Sequence, residues 1–300
     1  MGTAYKLFQI LSAVIRFFVH WLLALFYCRK GKVVPPIENQ LLLKSATQLA
    51  REIRGGKLKS ADVVQAYIDR IQEVDPCINA TVDRCFQKAL KEAKEADLLV
   101  ASGKYTEEQL VNEKPLLGVP ISVKVLLLVK GLRCTGGSKL FEDLVATEDA
   151  PSVALMREAG AIIIATTNVP EFAMHMETTN YVHGRTRNPY NTNRTPGGSS
   201  GGEGALIASG GSVLGLGNDI LGSVRIPAHF SGIFAHKATQ DLVPSEGSFP
   251  PERLFGEKLP KPDIFKYTCT GPMCRYAEDL VTSMKVLSTS KEIKVKLGKK

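Results

Sequence analysis

The chain has 300 residues, 44% of them hydrophobic and 23% charged, a balance that fits a folded globular domain and excludes a disordered chain. Its net charge of +8 argues for a nucleic-acid partner only if it lies on the folded body, and it does not. Residues 1–32 carry five basic residues and no acid, and residues 291–300 carry five lysines and one glutamate, which leaves the middle nearly neutral and speaks for a membrane rather than nucleic acid.

The first element is the apolar run from Leu7 to Cys28, 22 residues. As a helix it extends about 33 Å, enough for a hydrocarbon core of roughly 30 Å. Arg16 and His20 interrupt it on one helical face. A central arginine costs about 2.5–3.5 kcal/mol on insertion scales, so a tilted or interfacial segment competes with a clean span. No small-residue cleavage site follows, since Leu25-Phe-Tyr-Cys28 leads straight into Arg29-Lys30, and this favours a retained anchor over residues 1–32. Basic residues are denser after the run than before it, which places the body on the cytoplasmic side.

Residues 33–40 read as a proline-containing linker, and a folded domain is expected from residue 41 to about 290, followed by a basic tail over 291–300. The periodicity predicts helices over Ser45 to Arg54, from an N-cap at Ser60 onward with Val63, Val64, Tyr67, Ile68 and Ile71 on one face, and over about Asp83 to Leu99. Short apolar runs then alternate with helical patterns: Leu117 to Val123, a helix over Ser152 to Ala159, Ile162 to Thr166, a helix near 200–209, and Val213 to Leu216. That alternation predicts an α/β fold, a sheet covered by helices. The six cysteines and five histidines show no metal-ligand spacing, so reduced thiols, no metal and no cofactor are expected.

Ten of the 26 glycines fall between Gly197 and Gly222, a density suited to backbone that turns tightly or approaches a ligand. The segment Pro196-Gly-Gly-Ser199-Ser200-Gly-Gly-Glu-Gly204 lacks the Gly-Lys of a P-loop and carries Glu203 where phosphate would be repelled. It is no free linker either, because apolar patterns follow at once from Ala205. Gly197 to Gly201 matches G-x-S-x-G, with Asp219 and His229 or His236 available to complete a Ser-Asp-His order. A nucleophile elbow needs a hydrophobic strand before the turn, however, and Asn188 to Pro196 is a polar loop.

Six motifs in order carry a resemblance: Gly118-Val-Pro-Ile-Ser-Val-Lys124, Thr167-Asn-Val-Pro-Glu171-Phe, Asn188-Pro-Tyr, the Gly/Ser loop, Asp219-Ile-Leu-Gly-Ser-Val-Arg225, and Cys269-Thr-Gly-Pro-Met-Cys-Arg-Tyr-Ala-Glu-Asp-Leu280. Together they resemble the amidase signature family of serine hydrolases, most closely its membrane-anchored fatty-acid amide hydrolases of the second type. The resemblance implies a mixed β-sheet covered by helices on both faces, and a Ser-Ser-Lys acyl-enzyme mechanism on lipophilic amides. By that resemblance Ser223 is the nucleophile, Ser199 the bridging hydroxyl and Lys124 the base. The N–H groups of Ile220, Leu221, Gly222 and Ser223 form the oxyanion hole, and Asp219, Arg225 and Ser200 support the site. A homo-oligomer is compatible with it.

Several positions depart from the family pattern. Leu221 stands where the family has a glycine, Val125 where an acid usually follows the lysine, and Ala238 and Asp241 where a proline and a glycine are expected. A leucine forced into a left-handed conformation costs roughly 1–2 kcal/mol and misplaces the oxyanion donors. The resemblance also leads us to expect further strands and acyl-pocket residues beyond position 300, so that the domain is incomplete at its C-terminus. The competing reading is a catalytically impaired relative that acts as a membrane-bound binding protein.

Overall fold

The computed structural model describes residues 2–27, 31–249, 253–254, 257–258 and 267–298. The expected end of the apolar run at Cys28, the adjacent Arg29 and Lys30, and the last two lysines of the basic tail lie outside the described residues. Helix α1 (Thr3–Tyr27) is long and apolar enough to cross a membrane by length and composition, and none of its residues is buried among the described residues. Arg16 donates to Ser12 Oγ one turn back, at 2.8 and 3.2 Å, so part of its hydrogen-bonding demand is met within the helix.

The segment read as a linker is strapped to the body instead. Val34 N donates to Pro189 O, Thr192 N donates to Lys32 O, and the buried Arg70 guanidinium donates to the carbonyls of Pro35 and Pro36. Prolines lack an N–H but keep an acceptor, which suits a strap held through its carbonyls.

Helix α2 (Ala46–Arg54) starts on the expected Ser45 cap, which accepts from Gln48 N. In α3 (Ser60–Ile78), Ser60 is not the cap but the first helical residue. The carboxylate of Asp97 accepts from the N–H of both Ser60 and Ala61, freeing Ser60 Oγ to donate to Gly118 O. The helix expected from Asp83 begins later, because Thr81–Arg84 forms strand β1 before α4 (Phe86–Ala101). Asp75 dictates this: its carboxylate accepts from Ala80 N, Thr81 N and Thr81 Oγ1, turning the chain into an edge strand.

After α5 (Glu107–Glu113) come β2 (Pro120–Lys124), α6 (Pro151–Glu158), β3 (Ile162–Thr167), the small pair β4 (Thr179–Asn180) and β5 (Gly184–Arg185), and α7 (Gly201–Ala208). Then follow β6 (Leu214–Asp219), α8 (Arg225–Ser231), β7 (Phe234–Ala235), the pair β8 (Arg253–Leu254) and β9 (Glu257–Lys258), β10 (Cys269–Cys274), α9 (Ala277–Leu287) and α10 (Lys291–Gly298). The expected basic tail is thus helical over most of its length.

The main sheet runs β1-β3-β2-β6-β10-β7. Its middle three strands are parallel and its outer strands antiparallel, the mixed, helix-covered sheet expected from the sequence. Every residue of β2, β3 and β6 is buried, as parallel strands covered on both faces must be. Ile121, Val123, Ile162, Ile163, Ile164, Leu214 and Leu216 join Val63, Val64, Tyr67, Ile68 and Ile71 of α3 in one continuous core. The motif acid Asp279 is structural: its buried carboxylate caps α2 by accepting from Ala46 N and Thr47 N.

Of the departures noted above, Asp241 is the one that carries backbone strain, at φ 61°. Left-handed backbone at an L-residue other than glycine costs about 1 kcal/mol. Asp241→Gly is therefore expected to raise unfolding stability by up to about 1 kcal/mol, less glycine's added unfolded-state entropy. Urea unfolding of both proteins checks it; a lower midpoint in the variant contradicts it.

Candidate active site

Strand β2 ends at Lys124, and the parallel register sets Lys124 opposite Thr167 at the end of β3. Strand β6 ends at Asn218 and Asp219 on the same edge, and the loop before α7 lays Ser199 against Lys124. Four segments far apart in sequence therefore meet at the C-terminal ends of three parallel strands, where such sheets place their ligands.

Lys124 is fully buried. Its Nζ lies 2.8 Å from Ser199 Oγ, 2.7 Å from Asn218 Oδ1 and 3.2 Å from Asn218 O. Burial pulls its pKa down to about 7, against the opposing pull of Asp219 and Glu203. An amine with two N–H bonds committed to Asn218 has its lone pair left for the Ser199 hydroxyl. Asn218 thus orients the lysine, a role the sequence reading did not assign.

The turn from Ile220 to Val224 is organised by Asp219. Its buried carboxylate accepts from Gly222 N (2.7 Å), Val224 N (3.1 Å), Arg225 N (3.4 Å), and Arg225 Nε (3.0 Å) and Nη2 (2.9 Å). Burial opposes ionisation, but the Arg225 bond and the Val224 and Gly222 N–H groups outweigh it and hold the carboxyl at about 2. Asp219 is committed to Arg225 and, among the described residues, bonds neither His229 nor His236 as a Ser-Asp-His triad would require.

Left-handed strain is absent at Leu221; the residue of this turn with positive φ is Gly222, at 121°, and that position has its glycine. The Leu221 side chain points outward and is 79% exposed. Gly222 N–H is occupied by Asp219, while the N–H groups of Ile220, Leu221 and Ser223 meet no protein acceptor among the described residues. Val125 is buried beside Leu126, Cys134, Val169 and Phe249, surroundings in which an ionised carboxylate would be costly.

Ser223 is half-buried at the start of the α8 turn, and the Gly/Ser loop is tied to it through backbone, Ser200 N donating to Ser223 O at 3.0 Å. Thr178 holds the loop from the other side, donating to Gly197 O and accepting from Gly201 N. Among the described residues no hydrogen bond joins Ser199 Oγ to Ser223 Oγ. Ser200 Oγ is buried without a partner among them. The expected set is therefore brought together as Lys124–Ser199 by direct side-chain contact, and Ser223 by backbone.

Glu203 also went unassigned in the sequence. It is fully buried on α7 and accepts from Ser122 Oγ at 2.6 Å and Thr167 Oγ1 at 2.8 Å. Burial pushes its carboxyl up to about 7, against those two hydrogen bonds and Lys124. A signal was present in the alternation of β2: Ser122 lies two residues before Lys124 and so shares its face.

The sequence profile of the Amidase family matches residues 62–298. The chain is 47% identical over 271 residues to Fatty-acid amide hydrolase 2-B of Danio rerio, covering 90% of this chain and 50% of that protein. To Fatty-acid amide hydrolase 2 of Homo sapiens it is 44% identical over 258 residues, covering 86% and 47%. A solved fatty acid amide hydrolase superposes with a TM-score of 0.74 at 30% identity, covering 87% of this chain and 43% of that one. The chain spans about half the length of the curated relatives it matches.

Proposed function

Since the chain belongs to the amidase signature family, we propose that it is a membrane-anchored serine amidase that hydrolyses lipophilic fatty-acid amides through Ser223, Ser199 and Lys124. The observation that carries this reading is the buried Lys124 amine, bonded to Ser199 Oγ and steered by two acceptors of Asn218. Neutral Lys124 takes the Ser199 proton as Ser199 takes that of Ser223, and Ser223 Oγ attacks the amide carbonyl carbon. The negative oxygen that forms is met by the N–H groups of Ile220, Leu221 and Ser223, with Gly222 N–H shared with Asp219. Ser199 then protonates the departing amine, and water releases the acid from the acyl-enzyme. No cofactor enters any step.

The lipophilic substrate class is supported by relatives named fatty-acid amide hydrolases and by the apolar helix α1. The basic residues that follow the apolar run support a body on the cytoplasmic side. One observation favours the second reading, a catalytically impaired binding protein: Ser223 Oγ is not bonded to Ser199 Oγ.

A fluorophosphonate probe separates the two readings. The full chain in detergent is expected to label, and Ser223→Ala to lose the label while keeping the melting temperature of the parent. A folded parent protein that takes no label overturns the serine-amidase reading for this chain.

A further inference from the structure

The strongest unassigned feature is the buried carboxylate of Glu203. It projects from α7, the helix that begins two residues after Ser199, into a socket built by three strands. Ser122 of β2 bonds one carboxylate oxygen and Thr167 of β3 the other. Gly215 of β6, the register partner of Ser122, supplies the space, since a Cβ there would overlap Glu203 Oε2. Ser122 and Lys124 point to one face of β2, and Thr167 is the register partner of Lys124, so the socket lies directly beside the lysine.

We propose that Glu203 is a positioning residue that shares one proton with Lys124, and that the amidase works when this proton resides on Glu203 and the lysine is neutral. The inference deepens the serine-amidase reading and rests on it. An ammonium and a carboxylate buried together, or the neutral acid and amine, are both electrically balanced; an unpaired charge in that socket is not. The charged or titratable groups facing the pair are few. Lys124 is faced by Glu203 from α7 and by Asp219 from the end of β6, and Asp219 is held ionised by Arg225 and backbone N–H groups. Glu203 is faced by Lys124, with the neutral hydroxyls of Ser122 and Thr167. The same carboxylate pins α7 to β2 and β3, which fixes the Ser199 loop at bonding distance from Lys124.

The test is direct. The 300-residue chain in detergent, labelled with ¹³C at lysine Cε, is titrated by NMR, with the Lys124 signal identified by its loss in Lys124→Met. In Glu203→Gln the side-chain shape is kept and the negative charge removed, so the Lys124 midpoint is expected to fall by about 1 pH unit or more. The acidic limb of the fluorophosphonate labelling rate falls with it. Ser122→Ala, which weakens support of the ionised carboxylate, moves both in the same direction by less and serves if Glu203→Gln does not fold. An unmoved Lys124 midpoint in the variant that folds overturns the proposal, because a purely structural Glu203 lowers the rate without shifting the lysine. The NMR midpoint is independent of reactivity. A shifted midpoint in a protein whose Ser223 never labels sinks the amidase reading and leaves the shared proton standing.

Discussion

Lys124→Met is expected to slow fluorophosphonate labelling of Ser223 by about 10²–10⁴-fold, the usual contribution of a general base. Methionine retains the unbranched apolar stem that fills the same buried slot. It removes an amine that the protein interior disfavours in its charged form, so the melting temperature is expected to stay within a few degrees of the parent. Two acceptors of Asn218 lose their donor, at a cost of about 1–3 kcal/mol, and relief of the buried amine offsets it. Lys124→Arg is the sharper companion: it preserves a positive charge but cannot release a proton, and the label is expected to be lost as fully. In the parent, labelling rises as pH passes upward through about 7, because the base works only when deprotonated. Stopped labelling time courses across pH check all three. A Lys124→Met protein that labels at the parent rate removes lysine from the mechanism.

The parts of the molecule legible in the sequence are those whose information is local. The run Ile162 to Thr166 marks its own strand, and Ser45 followed by an amphipathic stretch marks its own helix start. Lys124, Ser199 and Ser223 were singled out because each sits in a motif, and Ser199 lies against Lys124 in the structure. What was not legible depends on partners distant in sequence. Ser60 has the chemistry of an N-cap, yet Asp97, 37 residues later, caps the helix and redirects the serine hydroxyl to Gly118. The helix expected from about Asp83 starts later because Asp75 and β3 claim Thr81 to Arg84 as a strand. The proline-containing stretch after α1 reads as a linker because nothing local reveals that Arg70 will bind its carbonyls.

The same distinction applies within the site. Asn218 and Glu203 are neighbours of recognisable motifs, but their effect on Lys124 arises only when β2, β6 and α7 are brought together. Leu221 shows the converse. Its departure from the family pattern suggested a strained turn, whereas the turn keeps its one left-handed position at Gly222 and hangs on Asp219.

Asp219→Ala is therefore expected to be far more damaging than any change at Leu221. It strips acceptors from Gly222 N, Val224 N and Arg225 N and leaves the Arg225 guanidinium without its partner. Leaving a buried N–H without its acceptor costs about 1–3 kcal/mol, while the half-exposed Arg225 guanidinium can turn to water. Ser223 loses the turn that holds it, and the label is expected to vanish even in protein that remains folded. The pH dependence follows from the depressed carboxyl. Its folded value of about 2 lies below the ordinary 3.8, so Asp219 contributes stability above pH 3.8, about 2 kcal/mol, and this is lost as pH falls towards 2. Asp219→Asn, which keeps the shape but cannot titrate, is expected to be less stable than the parent at neutral pH and to converge on it in acid. Urea unfolding of the two proteins between pH 2 and pH 6 measures the difference directly; a gap that stays constant across that range means the carboxylate charge does not hold the turn.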